Sequence, residues 1–276
     1  MTEFTVDQAR LWIRAAGDLV ERDVIRLTEL DTAIGDADHG FNMQRGFYAV
    51  RKKLEVTVTE DLGSLFRLVG MTLVSTVGGA SGPLYGGFFL EMAKVANGKA
   101  YLGKNEICTA LAAGLNDIKR RGKAEVGDKT MVDSLSPAVA ALESATELCA
   151  AFRAAADAAK TGAEGTIPLE ARKGRASYLG QRSIGHQDPG ATSSWLLFEA
   201  LASVCQQAAE KGGAAAGSCL ELHGPSVDCR GTACRTLPPV AGTLSKGTAS
   251  RTPTAVQGLT TTPEVDRHGR PGAGLS

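Results

Sequence analysis

Apolar residues recur along this chain in steps of three and four. From Thr5 to Leu30 they fall at Val6, Ala9, Ile13, Ala16, Val20, Val24 and Leu27, one stripe on one helical face. Thr5 and Gln8 stand at capping-box spacing, which predicts the start of that helix. The same period returns over residues 42–54, 62–77, 84–96, 106–119, 131–159 and 193–209, and each stretch reads as helical. No run of alternating β-branched residues bounded by turn signals occurs, apart from the short Leu-Glu-Val-Thr-Val-Thr from Leu54, which reads as a connection. Alanine and leucine supply most of the apolar content and aromatics only 5 %, a composition suited to close helix packing. The pattern predicts an all-α bundle or barrel of antiparallel helices.

Bundles need only short joints, yet four joints here are long, polar and rich in glycine: residues 31–40, 78–82, 121–130 and 172–192. Function is expected there. Beyond Lys211 the character changes. The last stretch has no Phe, Trp, Tyr, Ile or Met but holds six of the ten prolines and three of the six cysteines. Such a segment buries too little apolar surface to offset its chain entropy, so a domain over 1–210 and a low-complexity, disordered tail over 211–276 are expected. Sequence read out of frame after the last helix would account for the tail equally well.

The 276 residues balance 30 Lys plus Arg against 30 Asp plus Glu, so no global field favours nucleic acid or an anionic membrane. The opening Met-Thr-Glu-Phe-Thr-Val-Asp-Gln lacks the basic start and apolar run of a secretory signal, and a soluble, cytoplasmic protein is expected. Cysteines 108, 149, 205, 219, 229 and 234 form no C-x-x-C pair, so neither a zinc site nor a disulfide framework is expected. The first three read as buried small apolar side chains.

Within the first joint, Asp31, Asp36 and Asp38 gather three carboxylates around Gly35 and Ala37. Hard oxygen donors in a tight turn suit Mg²⁺, and their spacing does not fit an EF-hand loop. Helix-capping or solvated turn aspartates explain the same residues. His39, with Gly40 and Asn42, opens the next helix, where free N–H groups and the helix dipole favour phosphate oxygens; a histidine hydrogen-bonded at a turn is the other reading. The second joint, Gly78-Gly79-Ala80-Ser81-Gly82-Pro83, lets backbone approach a ligand, or is simply a tight corner closed by proline. The third, from Gly122 to Thr130, nearly spells the P-loop G-x-x-x-x-G-K-S/T, but Asp128 intrudes and no strand precedes it, which excludes that fold. The fourth brings Arg172, Lys173, Arg175, His186 and Asp188-Pro189-Gly190 close in sequence, with arginines able to neutralise phosphate.

In combination, LDTAIGDADHGFNMQRGF, GMTLVSTVGGASGPLYGGFF, RGKAEVGDKTM and ARKGRASYLGQRSIGHQDPGATSSW resemble the nucleotide-binding L subunit of dihydroxyacetone kinases and the equivalent domain of single-chain members, over about residues 5 to 209. The resemblance implies a barrel of eight antiparallel helices, with ADP or ATP held at one end through two Mg²⁺ ions. It implies Asp31, Asp36 and Asp38 as metal ligands. His39, Asn42, Ala80, Ser81, Gly122, Thr130, Met131, Arg175, Asp188, Pro189 and Gly190 would contact the nucleotide, and Arg175 is the candidate catalytic cation. It also implies partners: a K subunit that carries dihydroxyacetone, a phosphohistidine M subunit of the phosphotransferase system that recharges ADP, and in some members a transcriptional regulator. A homodimer is the expected assembly. A subunit that exchanges ATP with solvent, serving a related triose or tetrose, is the alternative. The L-like domain of fatty acid kinases shares the aspartate turn but sits in longer chains.

Overall fold

The computed structural model describes residues 2–217, with side chains as far as 206. Nine α-helices account for most of them: α1 (Val6–Arg22), α2 (Val24–Ile34), α3 (His39–Val56), α4 (Leu62–Thr76), α5 (Ser81–Val95), α6 (Lys104–Gly122), α7 (Met131–Ser144), α8 (Leu148–Glu164) and α9 (Pro189–Gly217). Eight of them close a ring, since α1 packs on α3, then each helix from α3 to α9 packs on the next, and α9 returns to α1. The ninth, α2, packs on α3, α9 and a 3₁₀ segment, Arg175–Ser183, outside that ring. Among the described residues no helix is long and apolar enough to cross a membrane. Helix α9 runs past the expected boundary at 210, and residues 218–276, with Cys219, Cys229 and Cys234, lie outside the described residues.

Helix starts follow their local chemistry. The capping box forms at α1, where Gln8 Oε1 accepts the Thr5 N–H at 2.7 Å and Thr5 Oγ1 accepts the Gln8 N–H. Asp61 caps α4 through the Ser64 N–H at 2.9 Å. Inside the ring, aromatic edges meet faces: Phe4 with Phe152 at 5.8 Å, Trp12 with Phe66 at 6.2 Å, Phe88 with Phe89 at 5.4 Å between centroids. Each such pair adds about 0.5–1.5 kcal/mol beyond area burial. The Trp12 indole N–H donates to the Leu197 carbonyl at 2.8 Å, which satisfies a buried donor and fastens α1 to α9. Helices α4 and α5 pack backbone to backbone at Gly70 and Gly86, where a Cβ on either would lie 2.8 Å from the other's carbonyl oxygen.

The structure corrects the sequence reading in three places. The single helix expected over 5–30 is interrupted at Asp23, whose φ of −98° and ψ of 11° leave the helical region. Its N–H still reaches Leu19 O and its carbonyl still accepts from Leu27, so the apolar stripe resumes in phase and shows no break. Likewise 131–159 is two helices, parted at residues 145–147, where alanine on both sides hides the change of phase. Two three-residue strands, β1 (Glu3–Thr5) and β2 (Tyr101–Gly103), pair antiparallel with Phe4 opposite Leu102, too short for any alternation to register. The cysteine expectation also fails in part. Cys149 on α8 and Cys205 on α9 are disulfide-paired, with Cα atoms 5.3 Å apart, brought together by helix packing across 56 positions of sequence. Cys108 alone is free among the described cysteines, half-buried, and burial raises its thiol pKa.

Candidate functional site

The joints that follow α2, α4, α6 and α8 converge on one cavity of about 300 Å³. These are the four glycine-bearing segments that stand out in the sequence. Its lining includes Asp31, Asp36, Asp38 and His39 from the first; Ala80 and Ser81 from the second; Gly122, Thr130 and Met131 from the third; and Arg175, Asp188, Pro189 and Gly190 from the fourth. Asn42 is not on the wall. It is buried one turn behind His39, where its Oδ1 accepts a hydrogen bond from Arg45 at 2.7 Å.

The acidic turn is built from its own backbone. Asp31 Oδ2 accepts the N–H groups of Asp38 at 2.9 Å and His39 at 3.1 Å, which folds the chain back over the end of α2 and leaves Oδ1 free of those bonds. Asp31, Asp36 and Asp38 then each offer an oxygen within 4.8 Å of the others, Asp31 buried and the other two exposed. Gly35 lies against this cluster, where a Cβ would run into the Asp31 carboxylate and its backbone oxygen. Three anionic oxygens grouped on one side fit a hard divalent cation that keeps waters and phosphate oxygens on its other side. Arg175 reaches the same cluster, its Nε 2.9 Å from Asp36 Oδ2.

His39 is held from both ring nitrogens, Nε2 at 2.8 Å from Ser193 Oγ and Nδ1 at 3.4 Å from Ser81 Oγ. Burial lowers its pKa, opposed by the negative charges of Asp31 and Asp38, and so favours the neutral imidazole. Ser193 in turn meets the Tyr85 hydroxyl at 2.7 Å, a phenol that burial pushes up to about 12. From the third and fourth joints, Thr130 starts α7 with a capping box to Asp133, and Asp188 starts α9 by accepting the Ala191 N–H at 2.6 Å ahead of Pro189 in the first turn. Burial raises the Asp188 carboxyl to about 7, with nearby Asp133 adding to the rise and Lys129 opposing it. The apolar part of the lining is formed by Leu84, Ile118, Ala124, Met131 and Val132. The acidic residues of this lining suit metal and phosphate, and the apolar ones a flat organic ring.

Residues 33–203 match the DAK2 domain family. This chain belongs to that family. It is 45 % identical over 200 residues, 71 % of its own length and 95 % of the relative's, to the ADP-binding subunit of the PEP-dependent dihydroxyacetone kinase of Escherichia coli (strain K12). A second ADP-binding subunit, from PEP-dependent dihydroxyacetone kinase 2 of Listeria innocua, is 43 % identical over 208 residues, 73 % of this chain and 96 % of that one. The crystal structure of the C. freundii dihydroxyacetone kinase in complex with AMP-PNP and Mg²⁺ superposes with a TM-score of 0.56 at 29 % identity, covering 70 % of this DAK2 chain and 33 % of the kinase.

Lys173, singled out with Arg175 in the sequence, lies on the wall of the DAK2 chain's cavity. Sequence reasoning gave no site role to Lys129, Ile34, Leu84 and Ile118, which also line it. The apolar three follow helical stripes, so nothing in their spacing separates pocket lining from core.

Proposed function

We propose that this chain is the ADP-binding subunit of a dihydroxyacetone kinase, a phosphotransferase that passes a phosphoryl group from a magnesium-bound nucleotide to dihydroxyacetone held on a separate K subunit. The observation that carries the reading is the cavity itself, whose lining combines the three carboxylates and buried His39 with the apolar Leu84, Ile118, Ala124, Met131 and Val132. The identity to ADP-binding subunits over nearly their whole length supports it.

In this reading Asp31, Asp36 and Asp38 hold two Mg²⁺ ions, which when bound supply charge neutralisation to the transferring phosphoryl group. His39, held by Ser193 and Ser81, stands at the start of α3, where the helix dipole and free N–H groups favour phosphate oxygens. Ala80 and Ser81 close over the phosphates, Ser81 donating through its hydroxyl. Gly122, Thr130 and Met131 border the base, and Asp188, Pro189 and Gly190 border the ribose side. Asn42 acts from behind, its side-chain carbonyl held by Arg45. Arg175 supplies the cation that meets charge building on the transferred group, from a station at Asp36.

ADP is the retained cofactor in this reading, recharged by a phosphohistidine M subunit. Mass spectrometry of the native protein, purified with and without chelator, tests it: stoichiometric ADP that leaves only when magnesium is removed is the expected result. A site that purifies empty and fills from ATP in solution would instead make the chain an ATP-exchanging subunit. Turnover with a K subunit and dihydroxyacetone tests the transfer step.

A further inference from the structure

Two buried polar side chains beside the cavity have no part in the scheme above. Lys129 is 1 % exposed, yet it carries an ammonium. That ammonium donates to the carbonyls of Thr166 at 2.8 Å, Leu169 at 3.1 Å and His186, three acceptors for its three N–H groups. All three carbonyls belong to the segment between α8 and α9. Thr166 is wholly buried, its Oγ1 donating to Ala163 O at 2.6 Å and accepting the Asp188 N–H at 2.9 Å. The Arg172 N–H donates to Asp128 O at 3.0 Å, a second tie between the same two segments.

Lys129 also sits at φ +60°, a left-handed backbone that an L residue adopts at a cost of about 1 kcal/mol. Nothing in its own turn requires a side chain there, since glycine would take that conformation freely. The three carbonyls are what a side chain at this position serves. A compact ammonium fits three converging acceptors, where a planar guanidinium would not.

We propose that Lys129 and Thr166 form a positioning latch that sets the cavity wall of Asp188, Pro189 and Gly190 against the wall of Thr130 and Met131. The spacing of those walls then fixes how tightly ADP is held. The inference rests on the nucleotide reading above. Neither residue is catalytic. Each acts through the segment it ties, Lys129 through three carbonyls and Thr166 through the Asp188 amide.

The test is isothermal titration of the full chain with ADP in magnesium, for wild type, Lys129→Met, Thr166→Val and Thr166→Ser, alongside Mn²⁺ binding without nucleotide. The acidic turn lies on another joint, so Mn²⁺ affinity is expected to stay within about twofold in every variant. ADP affinity is expected to fall by about tenfold or more in Lys129→Met and Thr166→Val, since each leaves buried hydrogen-bonding groups of the tied segment unmatched. Thr166→Ser keeps both hydrogen bonds and is expected to restore wild-type affinity. Should Lys129→Met fail to fold, the threonine pair decides. Thr166→Val binding ADP like wild type overturns the latch, as does a parallel loss of ADP and Mn²⁺ binding. A wild-type chain that binds no ADP overturns the nucleotide reading, and the latch with it.

Discussion

Replacing Asp38 with asparagine should separate what the acidic turn does for the fold from what it does for a ligand. Asp38 is exposed and makes no capping hydrogen bond through its side chain, so the change removes a charge and little else. Its oxygen lies within 4.8 Å of those of Asp31 and Asp36. At water-like screening each such pair repels by about 0.9 kcal/mol, and physiological salt roughly halves the sum to about 1 kcal/mol. Against this, a negative charge at the start of α3 gains roughly 0.5 kcal/mol from the helix dipole. Asp38→Asn is therefore expected to leave the magnesium-free protein unchanged or more stable by up to about 1 kcal/mol, or up to about 4 °C for a folded unit of this size. Magnesium plus ADP at about 100 times the wild-type Kd adds about 2.7 kcal/mol, a rise on the order of 5–10 °C for wild type and almost none for the variant. Scanning calorimetry in chelator and in Mg-ADP reads both halves. A variant melting several degrees below wild type in chelator would show that the carboxylate is structural. A full ligand-induced rise would show that it holds no metal.

Gly35→Ala tests the same turn by volume, since its Cβ would meet the Asp31 carboxylate. Mg-ADP binding should be lost together with about 1–3 kcal/mol of stability in chelator, and wild-type melting would contradict the packing account. Asp188 titrates near 7 in the fold against about 3.9 unfolded, so the folded state binds more protons between those values and its stability falls as pH rises through 7. Asp188→Asn keeps the acceptor for Ala191 and should flatten that slope in urea melts between about pH 5 and pH 8; an unaltered slope would assign it to other groups. Arg175→Ala should lower kcat by about 10²-fold or more in an assay with the K subunit while ADP affinity changes only a few-fold, and equal losses in both would make Arg175 a binding residue. Removing the Cys149–Cys205 link, which spans 56 positions, should cost up to about 4 kcal/mol under oxidising conditions by loop-closure entropy and nothing under reducing ones.

Much of this architecture is written in local pattern. The stripe from Val6, the Thr5–Gln8 box and the four glycine-bearing joints are each properties of short segments, and short-range chemistry is what a sequence displays directly. What escaped depends on distant residues or on one backbone angle. The bend at Asp23 preserves the apolar phase, and Cys149 finds Cys205 only because α8 packs on α9. The candidate site divides the same way. Asp31, Asp36 and Asp38 are neighbours in sequence and remain so in space. Lys129 carries no visible sign of its role, because its three carbonyls come from backbone atoms of Thr166, Leu169 and His186, and any sequence has carbonyls.

The ring that joins α1 to α9 also dictates when the molecule becomes useful during its own synthesis. Asp31 leaves the ribosome early, and Asp188 follows 157 residues later. At about 5–20 residues per second that interval lasts on the order of 10–30 s. Through that time the nascent chain carries the acidic residues without the Asp188 wall, and Trp12 lacks the Leu197 carbonyl that will accept its indole N–H hydrogen bond. Chains interrupted before Asp188 thus carry the carboxylates without the wall that completes the cavity.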